Sequence, residues 1–160
     1  MATDEALRQQ VLDHFRQATD RRYEECIKDF PPEAMNVRPP NVDYTPWHLL
    51  EHLRVGLSDI LDYVRNPRYV GRNWPDDYWP AKDAQADAAA WAKTADAYRT
   101  DREALAAIIA DPGQDLLLPL PHTAGHTILR EVFLVAGHTS YHLGEFGILR
   151  EVMQTWRRER

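Results

Sequence analysis

Proline placement constrains this chain more than any other feature. All eleven prolines fall in three windows, residues 31–46, 67–80 and 112–121. A proline removes a helical hydrogen bond and clashes with the preceding turn, so helix interiors exclude it. The proline-free segments that remain are 1–30, 47–66, 81–111 and 122–160. Each is long enough for a helix, and the spacing predicts four helices joined by three loops.

Apolar periodicity agrees. Leu7, Val11, Phe15 and Ala18, then Tyr23, Cys26 and Phe30, step by threes and fours in the first segment. Leu50, Leu53, Leu57, Ile60 and Val64 do so in the second. The third carries Ala84, Ala88, Trp91, Ala95, Tyr98, Leu105 and Ile109, and the fourth Ile128, Val132, Val135, Phe146, Leu149 and Met153. Such steps put each set on one helix face. Thr45-Pro46 has the form of an N-cap followed by proline at the first helical position. Asp111-Pro112-Gly113 closes the third helix. With no strand-like alternation and no internal repeat, the expectation is an all-α four-helix bundle forming a single domain over residues 1–160.

Composition narrows the function. A net charge of −6 gives no electrostatic footprint for nucleic acid. The C-terminal Arg157, Arg158 and Arg160 read as a solvated helix end, where positive charge suits the dipole. No run of about 18 apolar residues is present to span a membrane, and the acidic start lacks a secretion-signal core. One cysteine, Cys26, permits no internal disulfide and fits a reducing cytoplasm. Glu24, Glu25 and Asp29 surround it and disfavour a thiolate, so Cys26 reads as packing rather than a nucleophile. Residues 67–80 hold two tryptophans and two tyrosines. The economical reading is a plug for the bundle end or a dimer contact; the other is a lid over the bundle mouth.

The histidines carry the chemistry. On a helical wheel the apolar stripe of the fourth helix centres roughly 50° from His138. His142 lies roughly 40° from His138, near the middle of that stripe. Both imidazoles therefore face the core one turn apart. Buried imidazoles need hydrogen-bond partners or a metal, and a pair at i and i+4 can chelate one ion. On the second helix His48 and His52 are also four apart, and His48-Leu49-Leu50-Glu51-His52 matches the H-x-x-E-H zinc-protease pattern. The wheel separates them: His52 sits at the edge of the apolar stripe, whereas His48 falls roughly 145° from its centre, and Glu51 also points outward. His52, His138 and His142 are the expected metal ligands, with His14 in reserve as a fourth. His122 and His126 read as turn or cap residues. Glu145, three residues after His142, is the candidate catalytic or supporting carboxylate.

The segments Thr45-Pro-Trp-His-Leu-Leu-Glu-His-Leu-Arg54 and Gly137-His-Thr-Ser-Tyr-His-Leu-Gly-Glu-Phe-Gly-Ile-Leu-Arg150 resemble the DinB/YfiT-like family of metal-binding four-helix bundles. The resemblance covers most of the chain in helix order and loop placement. It implies one ligand from the second helix, His52, and an H-x-x-x-H pair from the last, His138 and His142. It also implies an up-down-down-up bundle, frequent homodimers, and nickel or zinc as the ion. Relatives often carry glutamine where this chain has Glu145, which adds negative charge beside the metal. Characterised relatives include transferases and isomerases that use a low-molecular-weight thiol, and a transferase or isomerase of that kind acting on a small molecule is the leading expectation. A metal-dependent hydrolase, with Glu145 or Glu51 as base, and a non-catalytic metal-binding stress or interaction module are the alternatives. Three protein ligands leave a coordination position open, as catalytic rather than structural sites do.

Overall fold

The computed structural model describes residues 2–156, and the arginines at 157, 158 and 160 lie outside the described residues. Five α-helices form: α1 (Ala2–Thr19), α2 (Arg21–Ile27), α3 (Pro46–Arg65), α4 (Ala88–Ala110) and α5 (Ile128–Val152). Helices α1 and α2 share the first proline-free segment, so the architecture is a four-helix bundle. Among the described residues there is no strand, only an isolated bridge between Pro119 and Thr127. Among the described residues no helix is long and apolar enough to cross a membrane.

The break between α1 and α2 falls at Asp20, whose backbone leaves helical geometry (φ −94°, ψ −80°). No proline marks it. The interruption is stabilised from outside: Arg102 of α4 pairs with the Asp20 carboxylate at 3.0 Å and reaches the Thr19 carbonyl at 3.4 Å. Local bonds from Arg16 and Thr19 to Asp20 add to this, but the partner on α4, some eighty positions away, cannot be read from the local sequence.

Helix α3 begins as its sequence dictates. The Thr45 hydroxyl accepts the His48 amide N–H, and the His48 ring accepts the Thr45 amide N–H in return, with Pro46 at the first turn. Helix α4 starts at Ala88 rather than near 81, capped by Asp87, whose carboxylate accepts the Ala90 N–H at 2.7 Å. Residues 81–87 form a turn at 82–83 and then stay out of the helix, because tertiary partners take their backbone groups. Asn36 pairs with both Ala86 N–H and C=O, and the His48 ring holds the Ala84 carbonyl at 2.9 Å. An absence of proline permits a helix without compelling one. Helix α5 likewise starts later than its segment, at Ile128, after the Thr127 cap.

Helices α1 and α3 each pack on α4 and α5, so the chain passes from α1 to α3 across a diagonal of the bundle. The core between them holds Phe15, Leu53, Leu57, Tyr98, Leu105, Ile109, Val132 and Phe146. Each such buried apolar side chain contributes about 1.5–3 kcal/mol of transfer free energy. Tyr23 and Tyr98 stack at 4.1 Å in its middle. Cys26 is fully buried, and burial pushes its thiol up to about 11. It is a packing residue, excluded from thiolate chemistry by desolvation first and by the neighbouring Glu25 only secondarily.

Arg150, 1% exposed, closes the far end. One guanidinium nitrogen donates to the Cys26 and Lys28 carbonyls at 2.9 Å each, and the other to Thr155 C=O at 2.7 Å. The last carbonyls of a helix have no partner within it. Here a cation from α5 supplies the donors for α2, with the favourable dipole sign.

Candidate metal centre

Where α3 faces α5, three imidazoles meet. His138 Nε2 lies 3.0 Å from His52 Nε2, and His142 Nε2 lies 3.1 Å from the same atom. Among the described residues these three form the cluster able to hold a metal ion. His52 and His142 are buried and His138 is partly buried.

The other face of each ring explains the orientation. His52 Nδ1 is 2.9 Å from the Tyr78 carbonyl, which can only accept, so Nδ1 carries the proton. His142 Nδ1 is 2.7 Å from Glu145 Oε2, so its proton also sits on Nδ1. In the neutral rings both Nε2 atoms then present lone pairs to each other across 3.1 Å. A proton on His138 Nε2 could satisfy His52, but no single N–H relieves both contacts. One cation between the three nitrogens does. With metal–nitrogen bonds of about 2.0–2.1 Å, two nitrogens on one ion lie about 3.0–3.4 Å apart, and the observed separations fall in that range. The donor set fits a divalent metal.

The site's electrostatics hold the rings in the ligating form. Burial, then the adjacent His142 and His52, lowers His138 to about 3, and burial likewise lowers His52. Burial and then the charge of Glu145 push the Tyr44 phenol up to about 12, and Glu145 also raises the Tyr141 phenol. Trp79 lies flat on His52, with centroids 3.9 Å apart and planes 7° apart. Gly56 leaves the space that the His138 ring occupies: a Cβ there would come within 3.0 Å of His138 Cε1.

The aromatic loop is part of the site, which departs from the plug reading. Its turn at Asp76–Tyr78 supplies the carbonyl that orients His52, and Trp79 covers that ring. The loop is anchored by Asp59 of α3, which accepts from the Tyr78 hydroxyl at 2.6 Å and the Tyr69 hydroxyl at 3.0 Å, and pairs with Arg72 at 3.3 Å. Sequence reasoning missed Asp59. Its position on the apolar side of α3, three residues after Gly56, was the available signal.

The remaining histidines lie elsewhere. His48 is 3% exposed rather than turned to solvent, because residues 81–87 cover it, and both its ring nitrogens are engaged in the cap and with Ala84. His14 is exposed against Phe133, outside the cluster. His126 and His122 precede α5 and bond the Tyr63 hydroxyl and carbonyl, each at 2.8 Å. Glu51, expected to point outward, is clamped between helices by Arg54 and by the Thr94 hydroxyl at 2.9 Å.

A family model described as the DinB superfamily matches residues 5–146. No curated protein and no solved structure matches the chain.

Proposed function

Because the chain belongs to the DinB superfamily, we propose that it is a divalent-metal-dependent enzyme, a transferase or isomerase that uses a low-molecular-weight thiol and a small-molecule substrate. The observation that carries the metal is the facing pair of Nε2 lone pairs on His52 and His142, each fixed by an acceptor on Nδ1. His52, His138 and His142 would hold nickel or zinc. When bound, such an ion favours the thiolate form of a thiol at neutral pH.

The chain's own residues do the rest. Glu145 keeps the proton on His142 Nδ1 and so keeps its Nε2 free to ligate. The Tyr78 carbonyl does the same for His52, and Trp79 excludes water from one face of that ring. The hydrolase alternative is less well supported. Glu145 is engaged by His142 at 2.7 Å, and Glu51 by Arg54 and Thr94. A general base needs a free oxygen facing the reacting water.

The working unit in this reading is a homodimer in a reducing cytoplasm. Support for the dimer comes from α5, where Tyr141, Ile148 and Val152 are exposed and Gly137 and Gly144 face open space. The test is elemental analysis of protein purified without chelator, followed by a thiol-conjugation screen. About one nickel or zinc per chain, with turnover that requires added thiol, is the expected result. Turnover without thiol would move the assignment to the hydrolase. A chain that stays metal-free after dialysis against either ion would remove it altogether.

A further inference from the structure

Beside the metal-ligating face of the bundle lies a cleft of about 200 Å³ between α3, α5 and the aromatic loop, bounded by Ile60, Asp59, Trp74, Tyr78, Leu134 and His138. The cleft reaches His138, a member of the histidine cluster. We propose that this cleft binds the non-thiol substrate, and that it selects an uncharged, apolar group about the size of one substituted aromatic ring. The proposal rests on the functional reading above for the word substrate; the binding itself does not.

Size sets the first limit. An apolar cavity of about 150 Å³ accommodates benzene, so this cleft holds a ring with a small substituent and little more. Chemistry sets the second. Ile60, Leu134 and the Trp74 indole present apolar walls, and Trp74 and Leu134 are 71% and 47% exposed, so their apolar surface awaits a cover. The carboxylate and the phenol of the cleft are already used. Asp59 accepts from Tyr69 and Tyr78 and pairs with Arg72, and the Tyr78 hydroxyl is the donor in one of those bonds. His138 turns its Nε2 to His52. An anion entering the cleft would lose water beside the Asp59 carboxylate, with Arg72 already paired to that carboxylate, which is costly. An uncharged ring loses nothing comparable. Because the same Tyr78 that walls the cleft also orients His52 through its carbonyl, a seated ligand and the metal centre share one rigid turn.

The test is ligand-observed fluorine NMR on the metal-loaded full chain, with 4-fluorobenzyl alcohol as the neutral probe and 4-fluorobenzenesulfonate as its anionic counterpart. The alcohol should bind, and the sulfonate should bind at least about tenfold more weakly, as desolvating an unpaired charge requires. Leu134→Trp fills the cleft from an exposed position and should weaken the alcohol by a similar factor while metal content stays unchanged. Trp74→Ala, in the loop, should weaken it as well. Failure of the alcohol to bind, equal binding of the sulfonate, or binding indifferent to both substitutions overturns the proposal. Metal content read on the same samples keeps the two ideas separate: normal metal without probe binding defeats this inference alone, and probe binding without metal defeats only the functional reading.

Discussion

Glu145 and the Tyr78 carbonyl each hold a proton on one imidazole Nδ1, and that small choice of tautomer leaves the Nε2 of two buried histidines free to ligate. Removing the acceptor should therefore cost metal affinity. Glu145→Ala should weaken binding about 10–100-fold, the usual range for such supporting groups, whereas Glu145→Gln should recover most of it, since an amide oxygen still accepts from Nδ1. A competitive chelator titration reads both. The two histidines of α3 should also separate. His52→Ala should lower metal content sharply. His48→Ala should leave metal content near that of the parent while lowering the melting temperature, because it removes a capping partner, a change of about 1 kcal/mol. Equal metal loss from both would point to a four-histidine site. A wheel foresaw the His52, His138 and His142 convergence because all three lie on or beside apolar stripes. It misjudged His48 because a wheel records only the face a helix turns to the core. Residues 81–87 cover the opposite face, and no periodicity within α3 reports them.

At the scale of elements, helix interiors were legible and their ends less so. The interiors follow from proline exclusion and the three-and-four spacing that buries Leu53, Leu57, Tyr98 and Phe146. The ends depend on distant partners: Arg102 at the Asp20 break, Asn36 at Ala86, and Arg150 under α2. The aromatic loop was legible as a loop, but its attachment to His52 through Tyr78 and Trp79 was not, since nothing local pairs those positions. Arg150 offers the clearest test at this scale. Arg150→Met keeps much of the volume but strips the donors from carbonyls of α2 and Thr155. Hydrogen bonds to a charged group contribute about 1.5–3 kcal/mol each, and orphaned carbonyls add to the loss. Urea denaturation should show a loss of at least about 3 kcal/mol, and a change under about 1 kcal/mol would mean that solvent replaces the cap without penalty.

For the molecule as a whole, pH and metal should act on one equilibrium. His138 is depressed to about 3 in the fold, below its unfolded value of about 6.5. The unfolded chain therefore binds more protons between those values, so stability is fully present above about pH 6.5 and is lost as pH falls toward 3. Metal bound to the three rings depresses them further and steepens that loss. Calorimetry with and without chelator should give a higher melting temperature for the loaded protein at pH 7, with the two series converging near pH 5. Superimposable curves at every pH would remove the metal centre. The exposed stripe of α5 should likewise govern assembly. Tyr141→Glu combined with Ile148→Glu should shift sedimentation from dimer to monomer with the helical signal intact, and a parent chain that sediments as a monomer would end that part of the proposal.

The placing of the clustered histidines on α3 and α5, with all of α4 between them in the chain, has a consequence for biogenesis. His52 and His138 touch in the finished bundle but stand 86 residues apart in the chain. A ribosome adding about 5–20 residues per second therefore makes the first ligand about 4–17 s before the second. During that interval the growing chain offers a metal at most one of the three imidazoles, next to His48. For a metal held by all three rings, the order of manufacture would impose apo-protein first and metallation second. Under the proposed function, the ion would have to reach a chain that has already closed its last helix, and its identity would be decided by what is available then.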